Sequence, residues 1–256
     1  MDELMNRILA EAPGDGESST TSAESSADVI NTQVGSLPDY DCEKCRNKGF
    51  IAYTRGGALL TRECACMPVR RSVRRIRRSG LSGLLERDTF DSYEVPEEWQ
   101  QRAKELAMRF CDERGKWLCV SGTPGTGKTH LCTAVCGEML NAGRSVRYFR
   151  WRNELPALKA LQFDDRGRYF DELRELKEAD VLYIDDFFKG RPTEADLALA
   201  FELLDARYAA RSTTILSSEM SVDAMLDLDE ALGSRIYERS KGYCILCPKQ
   251  NWRLRA

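Results

Sequence analysis

A glycine-rich run at residues 122–129, Gly-Thr-Pro-Gly-Thr-Gly-Lys-Thr, restricts the fold of this chain more than any other feature. It matches the phosphate-binding pattern GxxxxGK[ST] at every position, and that pattern requires a buried strand before it and a helix after it. Residues 117–120 are apolar and predict the strand, while residues 128–140 predict the helix. The run therefore predicts the phosphate site of a P-loop nucleotide-binding domain.

Each residue type in this run has a chemical purpose. Glycines leave room for backbone N–H groups to turn toward phosphate oxygens. Lys128 supplies charge to the β- and γ-phosphates and so also assists hydrolysis, and Thr129 offers a hydroxyl to Mg²⁺. His130 is the only histidine, and we predict that it packs beside the nucleotide rather than acting as a metal ligand or base. The predicted nucleotide-binding residues here are Gly122, Thr123, Pro124, Gly125, Thr126, Gly127, Lys128, Thr129 and His130.

Two carboxylates follow the apolar run at residues 181–184. In a parallel sheet the carboxyl ends of the strands meet at one edge, so Asp185 and Asp186 are expected beside the phosphate-binding run. Asp185 is predicted to hold Mg²⁺, directly or through water, and Asp186 to polarise the attacking water. The alternative is a strand that ends in a solvated acidic turn, and the position of the pair downstream of a P-loop disfavours it.

Strand-like and helix-like segments alternate along the rest of the chain. Predicted strands cover residues 117–120, 146–149, 181–184, 213–216 and 245–246. Predicted helices cover residues 96–113, 128–140, 153–161, 169–177 and 193–209. This alternation is typical of an α/β fold in which helices flank a parallel sheet on both faces. With 256 residues, the chain is long enough for one such domain and a smaller module.

Charge is distributed unevenly, although the formal net charge is only −3. The first 41 residues contain nine acidic residues against the single basic Arg7, and residues 13–27 are rich in Gly, Ser, Thr and Glu, as in a flexible linker. Six arginines lie between residues 70 and 78, a basic segment suited to a polyanion or to an acidic partner surface.

Ten cysteines indicate metal binding or burial rather than disulfides. No apolar run approaches the roughly 18–20 residues that a membrane helix needs. The first residues also lack the basic and apolar regions of a signal peptide. We therefore expect a cytoplasmic protein with reduced thiols and no membrane partner.

Two close pairs of cysteines precede the P-loop: Cys42, Cys45, Cys64 and Cys66. Four thiolates satisfy tetrahedral Zn²⁺, and too few apolar residues lie in this region to form a core without a metal. We predict a zinc module, with free thiols or a labile iron–sulfur cluster as the alternatives. A second CxxC, formed by Cys244 and Cys247, lies in a predicted strand, where residues three apart face opposite ways, so we expect core packing there.

Basic and aromatic residues are interleaved around the predicted strand at residues 146–149. The basic residues are Arg144, Arg147, Arg150 and Arg152, and the aromatic ones are Tyr148, Phe149 and Trp151. Phosphate contacts and base stacking are how proteins bind single-stranded DNA, so the pattern indicates such a surface. The alternative is that an aromatic residue of this strand faces the core. The arginines at residues 70–78 are a second candidate, and they equally suit a solvated helix that touches an acidic partner.

Seven stretches together give the chain a family resemblance from about Arg78 to Ala256. They are SGL at 79–81, TFDSY at 89–93, GTPGTGKTH at 122–130, LYIDD at 182–186, TILSSE at 214–219, ALGSRIYER at 231–239 and NWRL at 251–254. In order and spacing they resemble the DnaC/DnaI-type AAA+ helicase loaders of the IstB/DnaC-like ATP-binding family. The versions encoded by phages and prophages of Gram-positive bacteria are the most similar.

This resemblance implies an AAA+ core without a full lid domain, in which residues 79–93 lie near the adenine. It places a polar sensor of the γ-phosphate at Ser218 or Glu219. It also implies that Arg239, with Arg235 beside it, reaches the ATP of a neighbouring subunit, which means self-association through the ATP site. The alternative is that the two arginines lie on a solvated helix face with Glu238. Arg253 matches an arginine that approaches the nucleotide within the same subunit.

The resemblance and the residues together predict four regions. These are an acidic flexible segment at 1–37, a cysteine-rich zinc module at 38–68, a basic linker with the adenine-proximal segment at 69–95, and the AAA+ ATPase domain at 96–256.

The implied function is ATP-dependent loading of a DnaB-type replicative helicase onto single-stranded DNA during replication. ATP, Mg²⁺ and Zn²⁺ are the expected ligands, and the N-terminal region is expected to contact the helicase. One alternative is a transposition helper ATPase of the IstB type, which the cysteine module disfavours because those proteins usually lack one. The other is a nucleotide-gated DNA-binding adaptor with negligible turnover.

Overall fold

The computed structural model describes residues 22–38, 41–79 and 81–251. An N-terminal module comes first, and its elements are helix α1 (Ser22–Thr32), strands β1 (Phe50–Arg55) and β2 (Ala58–Glu63), and helix α2 (Cys66–Ser79). The two strands pair antiparallel in a hairpin. Gly56 and Gly57 form its two-residue turn, and their φ angles of 60° and 77° are the positive values that such a turn requires.

Helix α1 departs from the predicted flexible segment at 1–37. The side chain of Asn31 exchanges two hydrogen bonds of 2.9 Å with the backbone of Ala52 on β1. Lys48 donates to the carbonyl of Asn31 at 3.1 Å, at the end of the helix where the backbone dipole favours a cation. These contacts come from distant parts of the sequence, so the composition of residues 13–27 gave no sign of the helix.

The α/β domain follows the module. Its helices are α3 (Ser82–Arg87), α4 (Glu98–Phe110), α5 (Lys128–Asn141), α6 (Trp151–Asp164), α7 (Arg166–Glu178), α8 (Glu194–Ala209), α9 (Val222–Leu228) and α10 (Glu230–Arg239). Its strands are β3 (Trp117–Ser121), β4 (Val146–Arg150), β5 (Val181–Phe187), β6 (Thr213–Ser218) and β7 (Cys244–Leu246).

These five strands form one parallel sheet in the order β4-β5-β6-β3-β7. The predicted α/β fold with a parallel sheet is confirmed. Strand β3, which leads into the phosphate-binding run, lies between β6 and the short edge strand β7, so that run follows a strand that is paired on both sides. Within the described part of the chain, no helix follows β7.

Alternate residues of β3 enter the cores on opposite faces of the sheet. Leu118 and Val120 pack in the core that includes residues of α4 and α5, whereas Trp117 and Cys119 pack in the core that includes residues of α7 and α8. Burial on both faces explains why β3 is apolar at every position but its last. Across residues 22–38, 41–79 and 81–251, no helix is long and apolar enough to cross a membrane.

Arg207 on α8 is fully buried and ties helix α7 to the sheet. Its guanidinium donates to the carbonyls of Leu176 (3.0 Å), Lys177 (3.0 Å) and Ala179 (2.8 Å), at and just beyond the last turn of α7. Carbonyls at a helix end have no partner within the helix, so an outside donor is needed. The same side chain also donates to Thr214 Oγ1 on β6 at 3.0 Å.

We predict that Arg207→Met destabilises the protein strongly, because it leaves several buried carbonyls without a donor. The expected loss in free energy of unfolding is about 3 kcal/mol or more, measured by urea denaturation. Arg174→Met is the matched control, since Arg174 makes an ion pair with Asp171 in which both side chains are more than half exposed. Such a pair contributes about 0–1 kcal/mol. Equal stability of the two variants would contradict this role of Arg207.

Candidate functional site

The phosphate-binding run forms a tight loop between β3 and α5, and Gly127 is the N-cap of α5. Gly125 has a φ of 80°, which residues other than glycine rarely adopt, so glycine is favoured there. Lys128 is buried within the loop and donates to the carbonyls of Gly122 at 2.7 Å and Thr123 at 2.9 Å. The loop and the N-terminus of α5 thus form the amide cradle that phosphates require.

Burial lowers the pKa of Lys128, and the nearby carboxylates of Asp186 and Glu219 oppose that shift. The lysine therefore lies in a partly desolvated site in which an anion is favoured. Its present acceptors are neutral carbonyls, and a phosphate oxygen is a stronger acceptor for an ammonium group.

Asp185 lies at the carboxyl end of β5 and is almost fully buried. Its carboxylate accepts hydrogen bonds from the hydroxyls of Tyr148 and Tyr183, both at 2.8 Å, and from Ser217. Thr129, at the start of α5, is 3.4 Å away. Oxygen ligands from a carboxylate and a hydroxyl suit Mg²⁺, so the donor set fits the ion predicted for these two residues.

Sequence reasoning missed Tyr148, Tyr183 and Ser217. Tyr183 stands two residues before Asp185 and so faces the same side of β5, and Tyr148 is its register partner on β4. The two-residue spacing of Tyr183 and Asp185 can be read from the sequence, but the pairing of Tyr183 with Tyr148 on the neighbouring strand cannot. Burial, reinforced by the charge of Asp185, raises the pKa of Tyr148, and burial likewise raises that of Tyr183. Both phenols therefore remain protonated donors.

Asp186 has a different environment from its neighbour. The pairing of β5 with β6 shifts register between Ile184 and Phe187, and Asp186 lies in this bulge with a φ of 55°. Bulges re-aim side chains and are frequent beside active sites. Its N–H donates to Ser217 Oγ at 3.1 Å, and its carboxylate pairs with Lys189 at 3.0 Å.

Lys189 was not predicted and has two acidic neighbours. Its ammonium lies 3.0 Å from Asp186 and 3.4 Å from Glu219. Burial alone would lower the pKa of Lys189, but these two carboxylates raise it above its ordinary value. Lys189 is therefore charged and partly neutralises the carboxylate of Asp186, the residue expected to act on water.

The two candidate sensor residues point in different directions. Ser218 is fully buried, donates to the carbonyl of Phe187 at 2.7 Å and accepts from the N–H of Met220 at 3.0 Å. Glu219 is partly exposed and lies beside Lys189. The hydroxyl of Ser218 is therefore occupied by backbone groups, whereas the carboxylate of Glu219 is on the side of Asp186.

The segment before α4 packs against the start of α5. His130 contacts the carbonyl of Thr89 at 2.9 Å and the hydroxyl of Ser92 at 3.2 Å, and its ring meets that of Tyr93 edge-on at 5.1 Å between centroids. A Cβ at Gly127 would lie 3.3 Å from Tyr93. His130 therefore holds residues 89–93 beside the phosphate loop, which agrees with a packing role.

Arg235 and Arg239 lie on one face of α10, as their four-residue spacing predicts. Arg235 donates to Asp205 at 2.7 Å, and its guanidinium lies 4.8 Å from the ring centroid of Phe201. Arg239 donates to the carbonyl of Tyr208 at 2.6 Å and lies 4.7 Å from that ring. Helix α8 thus orients both arginines. Arg253 lies outside the described residues.

The four predicted zinc ligands come together in the N-terminal module, and all four are buried. Cys42 and Cys64 are 3.8 Å apart and Cys45 and Cys66 are 3.6 Å apart, measured between sulfur atoms. All four sulfurs lie within 4.8 Å of one another. Four sulfurs at about 2.3 Å from a tetrahedral zinc ion are separated by about 3.8 Å, so the geometry fits zinc.

The backbone around these cysteines supports metal binding. The N–H of Gly49 donates to the sulfur of Cys45 at 3.4 Å. Burial opposes ionisation of Cys45, but this bond and those from the neighbouring thiols lower its pKa to about 7, whereas burial raises the pKa of Cys64 and Cys66. Cys247 is also buried, beside Gly122, whereas Cys244 is exposed and hydrogen-bonded to Ser240. The expected core packing therefore holds for Cys247 only, because in the edge strand β7 Cys244 and Leu246 are exposed and only Ile245 is buried.

The predicted DNA surface around β4 does not form as expected. Tyr148 and Phe149 are buried in the cores on opposite faces of the sheet, and Trp151, at the start of α6, is buried in the same core as Phe149, so none is available for base stacking. Arg144 is buried in a pair with Asp180 at 2.9 Å, and Arg147 pairs with Glu154 at 3.3 Å.

Arg150 remains exposed at the end of β4, as do Arg152 on α6 and Arg191 after β5. Arg152 and Arg191, together with Lys159 and Lys189, line a groove of about 390 Å³ between α6 and the segment that follows β5. In the basic helix α2, Arg70 is instead buried and donates to Asn47 at 2.7 Å. At least one arginine of the basic segment at residues 70–78 therefore stabilises the N-terminal module instead of facing a partner.

We predict that the protein binds about one zinc ion per chain, and that Cys45→Ser abolishes binding because three thiolates no longer complete the tetrahedron. Metal content of the purified protein measures this directly. Cys244→Ser is the control and should retain the metal, since Cys244 lies outside the cluster. Equal zinc content in the wild type and Cys45→Ser would show that the cluster is not the site.

Comparison with known proteins agrees with this geometry. The family model for IstB-like ATP binding proteins matches residues 45–251. The phage-like element PBSX protein XkdC of Bacillus subtilis is 30% identical over 226 residues, covering 81% of this chain and 82% of that protein. The replicative helicase loader DnaC of Escherichia coli is 28% identical over 188 residues, covering 72% of this chain and 74% of that protein.

Comparison with a solved structure identifies the fold. The crystal structure of the DnaC helicase loader is 26% identical, with a TM-score of 0.55, and covers 62% of this chain and 96% of that chain. The family model spans more than half of this chain, and the fold is that of the AAA+ loaders. The chain therefore belongs to the IstB-like family of ATP-binding proteins, which includes relatives of the DnaC helicase loaders.

Proposed function

We propose that this protein is an ATP-dependent loader that places a DnaB-type replicative helicase on single-stranded DNA. One observation carries the proposal: the chain contains both a P-loop site, in a core similar to DnaC, and a four-cysteine module with exposed apolar side chains. The first part supplies a nucleotide-dependent switch. The second supplies a surface for a protein partner.

ATP hydrolysis is the chemical step of this proposal. Mg²⁺, when bound, supplies positive charge to the phosphate oxygens. The amides of the loop and Lys128 hold the phosphates, while Thr129 and Asp185 hold the ion. Asp186 orients the attacking water and accepts its proton, because its carboxylate is at the same sheet edge and is only half-buried.

The nucleotide sensor is assigned to Glu219 in preference to Ser218. A sensor must reach the γ-phosphate, and the hydroxyl of Ser218 is already bonded to Phe187 and Met220. Glu219 lies close enough to Lys128 and Lys189 to respond to a change in charge between them.

Arg239 is proposed to complete the ATP site of a neighbouring copy of the chain, with Arg235 beside it. Both guanidiniums are stacked on rings of α8, which limits their freedom before assembly. An arginine supplied by a neighbour stabilises charge in the transition state and so links hydrolysis to assembly. Arg253 is proposed to approach the nucleotide from within the same chain.

The zinc module is proposed to bind the helicase. Strand β2 is exposed along its whole length. Tyr53 and Leu60 are directly opposed on one face of the hairpin and are 37% and 40% exposed, and Leu59 on the other face is 44% exposed. Adjacent apolar side chains on a small, metal-stapled module suit a protein partner better than nucleic acid.

Single-stranded DNA is assigned to the groove lined by Arg152, Lys159, Lys189 and Arg191. Of the ten residues that line it, only Asp196 is acidic, and it pairs with Lys159 at 2.8 Å. The excess of positive charge favours a phosphate backbone.

A transposition helper ATPase is the second candidate, because the matching family model describes IstB-like proteins. It shares the ATP site but requires a transposase instead of a helicase as its partner. The four-cysteine module favours the loader.

We predict that Asp186→Asn reduces ATP turnover by about 100-fold or more while ATP affinity is retained, because the amide cannot take a proton from water. Phosphate release measures turnover, and a fluorescent ATP analogue measures affinity. Lys128→Ala serves as the contrast, since it should lose affinity itself. No turnover in the wild type would favour a nucleotide-gated adaptor, whereas turnover that is unchanged in Asp186→Asn would contradict the role of Asp186.

The loading function is tested with purified protein, its cognate helicase, ATP and a forked DNA. We expect the protein to bind the helicase and to increase unwinding. The double substitution Tyr53→Ser and Leu60→Ser should weaken helicase binding by about tenfold or more, because it removes two exposed apolar anchors. Met108→Ser is the matched control, since Met108 is 49% exposed on α4, away from the module.

A protein that neither binds the helicase nor changes its loading is not a loader, even if it hydrolyses ATP. Stimulation of a transposase in the parallel assay would support the second candidate instead.

A further inference from the structure

Lys189 both lines the groove and contacts the candidate catalytic carboxylate. Lys189 lines the groove with Arg152, Lys159 and Arg191, and its ammonium also pairs with Asp186 at 3.0 Å. Arg152 and Arg191 lie on the exposed side of the groove. A polyanion that enters the groove therefore meets the same ammonium group that neutralises the candidate water-activating residue.

The segment that carries Lys189 is held in an uncommon backbone conformation. Asp186 and Phe188 have φ angles of 55° and 54°, which non-glycine residues rarely adopt. The N–H of Lys189 donates to the carbonyl of Asp186 at 3.0 Å, which closes a tight turn between the two residues. Strain of this kind concentrates at functional sites, and here it places the lysine back over the carboxylate.

The ion pair between Lys189 and Asp186 is weak enough to exchange. The side chains are 30% and 35% exposed, and pairs of this exposure contribute little free energy. A phosphate group carries a full negative charge and several acceptor oxygens, so it competes well for an ammonium group that is still partly solvated.

We propose that Lys189 couples the groove to ATP hydrolysis: without nucleic acid it restrains Asp186, and a phosphate of single-stranded nucleic acid bound in the groove takes over the ammonium and releases the carboxylate. This inference rests on the proposed function, since it concerns the same ATP site and DNA groove. Two arginines on the groove favour phosphate over a peptide carboxylate, because a planar guanidinium binds phosphate through two parallel bonds.

Release changes what Asp186 does. While paired, the carboxylate has one oxygen directed at Lys189. Once released, that oxygen is available to accept a hydrogen bond from water. Glu219 remains as the second neighbour of the lysine and limits how far it moves.

Steady-state ATP hydrolysis, with and without an oligothymidine, gives the first test. The wild type should be stimulated by the oligonucleotide. Lys189→Met should raise the basal rate by up to about fivefold, the change that loss of an exposed ion pair supports, and should remove the stimulation. Lys189→Arg should restore both restraint and stimulation, because it keeps the charge.

Lys177→Met is the matched control for loss of a lysine charge. Lys177 pairs with Glu202 at 2.7 Å on the surface of α7, away from the groove and the nucleotide site. It should behave as the wild type in both conditions.

Oligonucleotide affinity without nucleotide or Mg²⁺ gives a second readout that does not depend on turnover. Fluorescence anisotropy should show tighter binding by Asp186→Asn, because Lys189 is then free to contact phosphate. It should show weaker binding by Lys189→Met, with a smaller dependence on salt. In the double variant the Asp186→Asn gain should vanish, since the lysine that mediates it is absent.

The proposal is overturned if Lys189→Met keeps the wild-type basal rate and stimulation, or if the two substitutions act additively on affinity. It is also overturned if only the helicase, and not the oligonucleotide, stimulates the wild type, since the ligand of the groove is then protein. None of these outcomes affects helicase loading itself. Absence of any ATP hydrolysis or helicase binding by the wild type counts against the proposed function instead.

Discussion

A buried carboxylate organises the functional end of this molecule. Asp185 accepts hydrogen bonds from hydroxyls on three adjacent strands, those of Tyr148, Tyr183 and Ser217. An ionised carboxylate in the interior is costly unless such donors surround it, so the register of all three strands must be kept for the site to be stable. Thr129 extends the network to the helix after the phosphate loop. The same set of hydrogen bonds therefore stabilises both the pairing of these strands and the candidate nucleotide site.

The next residue, Asp186, has the opposite environment. It lies in a bulge, is half-buried and is held by a weak ion pair with Lys189. One carboxylate is thus fixed, which suits the magnesium ligand proposed for it, and the other is adjustable, which suits the proposed base. Two consecutive residues of the same type acquire these different properties because the bulge turns one inward and the other toward solvent. The groove on the far side of Lys189 makes that adjustment accessible to a ligand.

Arginines in this chain divide into structural and exposed groups that composition cannot separate. Arg207 holds a helix end to the sheet from a fully buried position, and Arg144 joins Asp180 and Thr213. Arg152 and Arg191 are exposed at the groove instead. A buried guanidinium is tolerated only where carbonyls and carboxylates surround it, which depends on segments distant in sequence. The interleaved arginines and aromatics around β4 therefore indicated a DNA surface that the fold largely buries.

The sequence by itself determined the P-loop, the acidic pair at residues 185–186, the α/β class and the four-cysteine cluster, because each follows from local spacing and from periodicity along one element. Tertiary structure alone decided which hydroxyls hold Asp185, that Ser218 faces the backbone, that Lys189 pairs with Asp186, and that α1 forms on the zinc module. The physical reason is that these features depend on register between strands, on a bulge and on contacts between distant segments, and a single sequence specifies none of them locally.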